Sequence, residues 1–235
     1  MLSFIIPAHD EARLIAETLD ALHAAAQALS LEYEVVVVDD ASTDDTARIA
    51  GEHGARVMRV AHRHIAATRN SGAEAASGDR LVFVDADTLV NPAVLQGAVD
   101  AMDKGAVGGG AAVRLQEPVR WHERIGVALF VWIFRLTRIA PGCFLFCTRE
   151  AFQATGGFDQ AYYAAEDIAM SRALARQGNF RILRQSVHTS ARKLRTHGFF
   201  EHMRLLWRLA RHRKGMLTSR EHLDLWYGKR RHGED

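Results

Sequence analysis

The sequence predicts an α/β fold built on a mostly parallel sheet, and three observations carry that prediction. Two apolar runs, VVVV at 35–38 and LVFV at 81–84, stop abruptly at paired carboxylates, Asp39-Asp40 and Asp85-Ala86-Asp87. Parallel strands buried on both faces read as continuous apolar runs, and the sites of such sheets lie beyond the carboxyl ends of the strands. Strand-like and helix-like patterns alternate throughout residues 2–84, the rhythm of successive βαβ units. With 235 residues, 48% of them apolar, the chain is long enough to enclose the core of one large domain.

Each element has its own warrant. Residues 2–7 form a short apolar strand, and Asp10-Glu11 then opens a helix in which Leu14, Ile15, Leu19, Leu22 and Ala26 recur at helical spacing. Residues 35–38 form the second strand, and Ser42 or Thr43 with the acids that follow gives the N-cap signal of a helix over 46–51. A strand at 55–60 and a helix over 66–76, stopped by Ser77-Gly78, lead into the strand at 80–84. Asn91-Pro92 starts a helix to about residue 102, and the strand over 106–115 contains three successive glycines, the mark of close approach by another element. Beyond it the pattern predicts an apolar helix at 121–139, a strand at 142–148, a short helix at 150–154 closed by Gly156-Gly157, and a helix at 167–178. A strand at 180–184 and two basic helices between 198 and 232 complete the reading.

The carboxylates at the strand ends point to chemistry. Residues two apart on an extended segment face the same side, so Asp85 and Asp87 meet one ligand together, roughly 7 Å apart at the strand rise. Two like charges so placed call for a cation between them. Oxygen ligands select Mg²⁺ or Mn²⁺, which usually complete their shells with substrate phosphates.

Charge is distributed unevenly. The net charge is +2, yet residues 192–231 hold twelve Lys or Arg against Glu201, Glu221 and Asp224, so the body is acidic and the tail basic. Cys143 and Cys147 are the two cysteines; in an extended setting their α-carbons stand about 13 Å apart, beyond disulfide reach, which favours a reducing compartment. The N-terminus MLSFIIPAHDEA has neither the basic nor the long apolar region of a signal peptide. The apolar run at 125–134 is well short of the ~20 residues of a spanning helix. A cytoplasmic protein, peripheral on the inner face of the membrane, is the expectation.

Six motifs in one order then resemble a known family: Pro7-Ala8-His9-Asp10-Glu11, DDASTDDT at 39–46, Ala67-Thr68-Arg69-Asn70 with Gly72, FVDAD at 83–87, GGFD at 156–159, and Glu166-Asp167 with Arg172 and Gly178. Over residues 1–195 the chain resembles the family 2 glycosyltransferases. The resemblance implies a single GT-A domain, a Rossmann-like sheet flanked by helices, with a nucleotide-sugar-binding half at 1–105, an acceptor-binding half at 106–195 and basic amphipathic helices at 196–235. It implies transfer of a sugar from a nucleoside diphosphate donor, UDP ahead of GDP, with inversion at the anomeric carbon.

The resemblance also distributes roles. Asp40 would bind the nucleobase, with Pro7, Ala8 and Glu11 shaping the nucleoside pocket. Arg69 would approach base and diphosphate; Asn70 and Gly72 would set the close approach of their helix to the sheet. Asp85 would contact the ribose or a metal-bound water, and Asp87 would coordinate Mn²⁺ or Mg²⁺. His188 is either a third metal ligand or a surface histidine, and Arg192 and Lys193 are candidates for the diphosphate. Asp167 would be the general base, with Glu166 as second candidate or acceptor ligand, although an acidic pair at a helix start also satisfies the macrodipole without any catalytic role. Gly142, Gly157 and Asp159 would lie at the acceptor site, with Phe158 packed beneath.

The tail has two readings. Phe199, Phe200, Met203, Leu206, Trp207 and Ala210 form an apolar stripe, with Arg204, Arg208 and Arg211 on another face. This fits a core-packed helix with a solvated side, or a helix lying on an anionic membrane surface near a lipid-linked or glycan acceptor. Nucleic-acid binding fits the charge alone, because no groove-reading motif accompanies it. Two rival functions remain. A nucleotidyltransferase would need a glycine-rich loop after the first strand, where Pro-Ala-His-Asp-Glu stands; a catalytically inactive nucleotide-sugar-binding or scaffold protein would not need Asp85, Asp87 and Asp167 together.

Overall fold

A computed structural model describes residues 1–115, 139–163 and 165–190. The predicted helix at 121–139, all but its last residue, the basic helices beyond 198, and Arg192 and Lys193 lie outside the described residues.

One eight-stranded sheet organises the described chain, in the order β3-β2-β1-β4-β7-β6-β8-β5. β1 (Leu2–Ala8), β2 (Tyr33–Asp40), β3 (Arg56–Val60) and β4 (Arg80–Val84) are mutually parallel, joined by α1 (Ile15–Ala28), α2 (Thr46–Glu52) and α3 (Ile65–Ala75). A two-residue β5 (Thr88–Leu89) and α4 (Pro92–Asp103) lead to β6 (Ala106–Leu115). β7 (Phe144–Thr148) inserts antiparallel between β4 and β6, and α5 (Arg149–Thr155) and α6 (Glu166–Gln177) precede β8 (Asn179–Thr189). β8 runs parallel to β6, and β5 pairs antiparallel to its end. The sheet is therefore parallel in its first half and mixed in its second.

The apolar runs are buried on both faces, as their lack of alternation requires. Phe4, Ile6, Val35, Val37, Val82 and Val84 pack with Leu19 and Leu22 of α1 and Leu95 of α4. The intervening residues Ile5, Val36, Val38, Leu81 and Phe83 pack on the other face with Ala66 and Ala73 of α3, Phe152 of α5, and Met170 and Leu174 of α6. Each such side chain contributes roughly 1.5–3 kcal/mol on leaving water. A helix of small residues brings α3 close to the sheet. A methyl group at Gly72 would overlap the Ile5 side chain and stand 2.8 Å from Cγ2 of Val38. Gly72→Ala is therefore expected to destabilise the fold by about 1–3 kcal/mol, the usual effect of overpacking a core, read as a lower midpoint in denaturant; an unchanged midpoint would mean that helix and sheet separate freely.

The close approach predicted for the three glycines of β6 is made by Phe146 of β7 and by Ala140, against which added Cβ atoms at Gly109 and Gly110 would collide. Three expectations are corrected. β8 extends to Thr189 rather than stopping near 184, and β5 has no sequence signal of its own. Ser42 and Thr43 do not cap α2, whose N-cap is Asp45. Instead Oγ of Ser42 accepts from the Asp10 amide (3.0 Å) and the Thr43 amide donates to Oδ1 of Asp10 (2.7 Å), tying the loop after β2 to the loop after β1.

Candidate active site

Polar burial concentrates at the carboxyl ends of β1, β2 and β4. Asp39, Asp40, Thr46, His64, Thr68, Arg69, Asp87, Thr88 and Glu166 are all buried there. Asp10, Ala41, Arg63 and Ala165 adopt positive φ in the loops of this edge. Non-glycine residues in that region of backbone space persist where the surroundings over-determine them, as functional sites do.

Asp40, the last residue of β2, is fixed by three donors. Oδ1 accepts from the Arg63 amide (2.7 Å), and Oδ2 accepts from the His64 amide (3.0 Å) and the Thr68 hydroxyl (2.8 Å). These bonds pin the loop between β3 and α3 and leave Oδ1 a second lone pair. Pro7 and Ala8 are buried within β1 beside Val38 and Asp39. The Glu11 amide donates to Oγ1 of Thr46 (2.8 Å), so the same loop system that joins β1 to β2 sets its place. His64 caps α3 and its ring lies 4.6 Å from that of Tyr163; its Nε2 is buried with no hydrogen-bond partner.

Arg69 projects from α3 into the acidic site. It is 3% exposed, and its guanidinium faces inward. Nη1 donates to Oε1 of Glu166 (2.8 Å), and Nη2 donates to Oδ1 of Asp85 (2.9 Å) and to the Gly142 carbonyl (2.9 Å). The Phe158 ring lies 5.2 Å beneath it. Burial works against its charge, but Asp85, Glu166 and Asp167 outweigh burial and hold its pKa above the ordinary value. The guanidinium is thus held in one plane by two carboxylates and a backbone carbonyl. Asn70, the next residue, grips the GGFD turn: Nδ2 donates to the Phe158 carbonyl (2.9 Å) and Oδ1 accepts from the Phe158 amide (2.8 Å).

The acidic pair opens α6. Glu166 is buried against Arg69, whereas Asp167 is half-buried, with Oδ1 accepting from the Ile168 amide (2.8 Å). Burial pushes the Asp167 carboxyl up, Glu166 adds to this, and Arg69 and the Ile168 amide pull it back, leaving it at about 7. Gly142 forms the adjacent wall: a Cβ there would stand 2.9 Å from Oδ2 of Asp167. Gly157, at φ 80°, likewise meets Asn70, while Asp159 is exposed and its Oδ1 accepts from the Ala161 amide (2.9 Å).

Asp87 is buried just beyond β4, and Oγ1 of Thr189 approaches its Oδ1 at 3.4 Å. Successive strand residues point to opposite faces, so the geometry that brings Thr189 to Asp87 turns His188 away. His188 is exposed. Among the described residues no three His, Cys, Asp or Glu side chains cluster around a cation position. Asp87 with Thr189 nearby still fits Mg²⁺ or Mn²⁺, because such ions take one or two protein carboxylates and draw further ligands from phosphate and water.

The half-parallel sheet with acidic groups at its strand ends has the GT-A fold, which solved structures share. The Staphylococcus aureus TarS fragment 1-349 in complex with UDP superposes with TM-score 0.65 at 20% identity, over 80% of this chain and 60% of that one. The Pyrobaculum calidifontis mannosyltransferase PcManGT in complex with GDP-Man and Mn²⁺ superposes with TM-score 0.64 at 22% identity, over 92% and 62%. Residues 3–156 match Glycosyl transferase family 2, and the chain belongs to that family. An uncharacterized glycosyltransferase of Mycobacterium tuberculosis is 30% identical over 127 residues, 52% of this chain and 57% of the relative. The chain thus spans little more than half of that relative's length. Among the described residues no helix is long and apolar enough to cross a membrane.

Proposed function

We propose that the protein moves a sugar from a nucleoside diphosphate sugar to an acceptor hydroxyl with inversion, and that Asp167 is the general base. The observation that carries this reading is the division of labour in the acidic pair. Glu166 already accepts from Arg69, while Asp167 lies at the Gly142 wall with its carboxyl pushed up to about 7. A base whose pKa is near the working pH takes a proton most effectively. The choice between the two carboxylates therefore falls on Asp167, with Gly142, Gly157 and Asp159 on the acceptor side.

On the donor side, the second lone pair on Oδ1 of Asp40 suits the ring N–H of uracil or guanine, between walls supplied by Pro7, Ala8 and Glu11. The complexes of TarS with UDP and UDP-GlcNAc and of PcManGT with GDP-Man support a nucleoside diphosphate here, and UDP is placed ahead of GDP. Asp87 would hold the divalent ion, with Asp85 kept in place by Arg69. When bound, that ion neutralises the charge that gathers on the departing diphosphate.

The test is a thermal-shift and product-release series on the full chain. UDP or GDP with Mn²⁺ is expected to raise the melting temperature, since a ligand of the native state stabilises it, and one class of nucleotide sugar is expected to release its nucleoside diphosphate. Neither nucleotide shifting the melting temperature would overturn the donor assignment; binding without release across a broad set of donors and acceptors would favour the inactive-scaffold reading.

A further inference from the structure

We propose that Arg69 is a positioning residue that frames the base Asp167 from two sides and does not itself contact the donor. This rests on the reading of Asp167 as base and goes beyond it, because it assigns to a residue of the donor half the geometry of the acceptor half.

The first side is the start of α6. Its N-cap is Ala165, in the left-handed region at φ 63°, and no side chain caps the helix. Alanine there is strained, and the described side-chain acceptor for the first-turn amides is Asp167 itself, whose Oδ1 accepts from Ile168. Something else must hold this turn, and the described contact that reaches it from the sheet side is the bond from Nη1 of Arg69 to Glu166. The second side is the loop before β7. Nη2 of Arg69 donates to the Gly142 carbonyl, and Gly142 is the residue whose α-carbon leaves no room for a side chain beside Oδ2 of Asp167. One guanidinium thus fixes both walls around Asp167.

The arrangement is also unfavourable to Arg69 itself. Nε is buried with no partner among the described residues, which costs a buried donor its hydration. A guanidinium placed for its own satisfaction would turn Nε toward an acceptor. Here Asp85, Glu166 and Gly142 determine its plane, with Phe158 beneath and the Phe158 backbone clamped by Asn70. Local cost accepted in favour of a fixed constellation is the pattern expected at a functional site. The charged groups that act on Asp167 are Glu166, Arg69 and Asp85, so Arg69 is also the cation that tempers its carboxyl.

The experiment compares Arg69→Lys, Arg69→Met, Glu166→Gln and the Arg69→Met/Glu166→Gln pair in the full chain. Lysine keeps the charge but reaches one carboxylate at a time, and the double variant removes the unpaired glutamate, so each guards against loss of folding. The expected result is that UDP affinity with Mn²⁺ and donor KM move less than about threefold while kcat falls about a hundredfold in Arg69→Met. Arg69→Lys should fall between, and the double variant should be no slower than Arg69→Met alone, as for two residues acting in one unit. Hydrogen exchange without any substrate supplies a readout independent of activity: the amides of 167–170 should exchange faster in Arg69→Met while those of β1 and β2 do not change. Unchanged exchange in that turn would overturn the proposal even if the wild type transferred no sugar, a result that would by itself sink the functional reading instead. A tenfold loss of UDP affinity at unchanged kcat would make Arg69 a donor ligand and overturn it as well.

Discussion

Asp167→Asn is expected to leave nucleoside diphosphate affinity unchanged and to lower kcat by a hundredfold or more, the order of the contribution of a well-placed general base. The replacement is nearly isosteric and removes the proton acceptor. Because the wild-type carboxyl is raised to about 7, kcat/KM for the donor should climb with pH through that region, and the variant should lose this limb. Stability should move the other way. A carboxyl raised above its unfolded value of 3.8 makes the folded state bind more protons than the unfolded chain between those two values, so wild-type stability falls as pH rises through that window. Asparagine carries no such penalty. The variant should melt higher than the wild type at pH 8, and the difference should close as the pH is taken below about 4. Transfer retained within about threefold would move the base to Glu166; a melting difference that does not depend on pH would show that Asp167 is not held in a charge-averse environment.

The parts of this site legible in the sequence are those written in local pattern. Asp40 and Asp85 stand out because each ends a strand buried on both faces, where an uninterrupted apolar run meets acid without transition. The packing of Phe158 and the close approach of Gly72 follow similarly from a single residue's size in its context. What could not be read is what depends on register and on distant partners. Arg69 and Glu166 lie 97 positions apart, and nothing near either announces the other, so the ion pairs of this arginine with two carboxylates were not legible. The approach of Thr189 to Asp87 becomes visible once the pairing of Thr88 with Thr189 is known. β8 buries Phe180, Leu183 and Val187 at irregular spacing rather than at every second residue, and its later part shifts register against β6, which hides its length from a periodicity argument. Ser42 and Thr43 carry the composition of a helix cap, yet Asp10 competes for them from the neighbouring loop.

Asp87→Ala is expected to abolish the dependence of nucleoside diphosphate binding on Mn²⁺ or Mg²⁺. The wild type should bind UDP about tenfold or more tightly when the ion is present, since a carboxylate and a diphosphate that share one divalent cation neutralise each other's repulsion. Asp87 is the carboxylate placed for this. Asp85 on the same strand end is already bonded to Arg69, His188 is exposed, and the hydroxyl of Thr189 adds a neutral oxygen near Asp87. Removing the Asp87 carboxylate should therefore leave a weak affinity that is the same with and without metal, close to that of the wild type without it. The substitution deletes a buried charge at the edge of the sheet and leaves the two apolar clusters intact, so the far-ultraviolet spectrum should not change. Titration calorimetry on both proteins, with Mn²⁺ and with a chelator, reads all four affinities. Equal wild-type affinity in the two conditions would remove the metal from the donor site, and a residual metal dependence in the variant would place the cation on ligands other than Asp87.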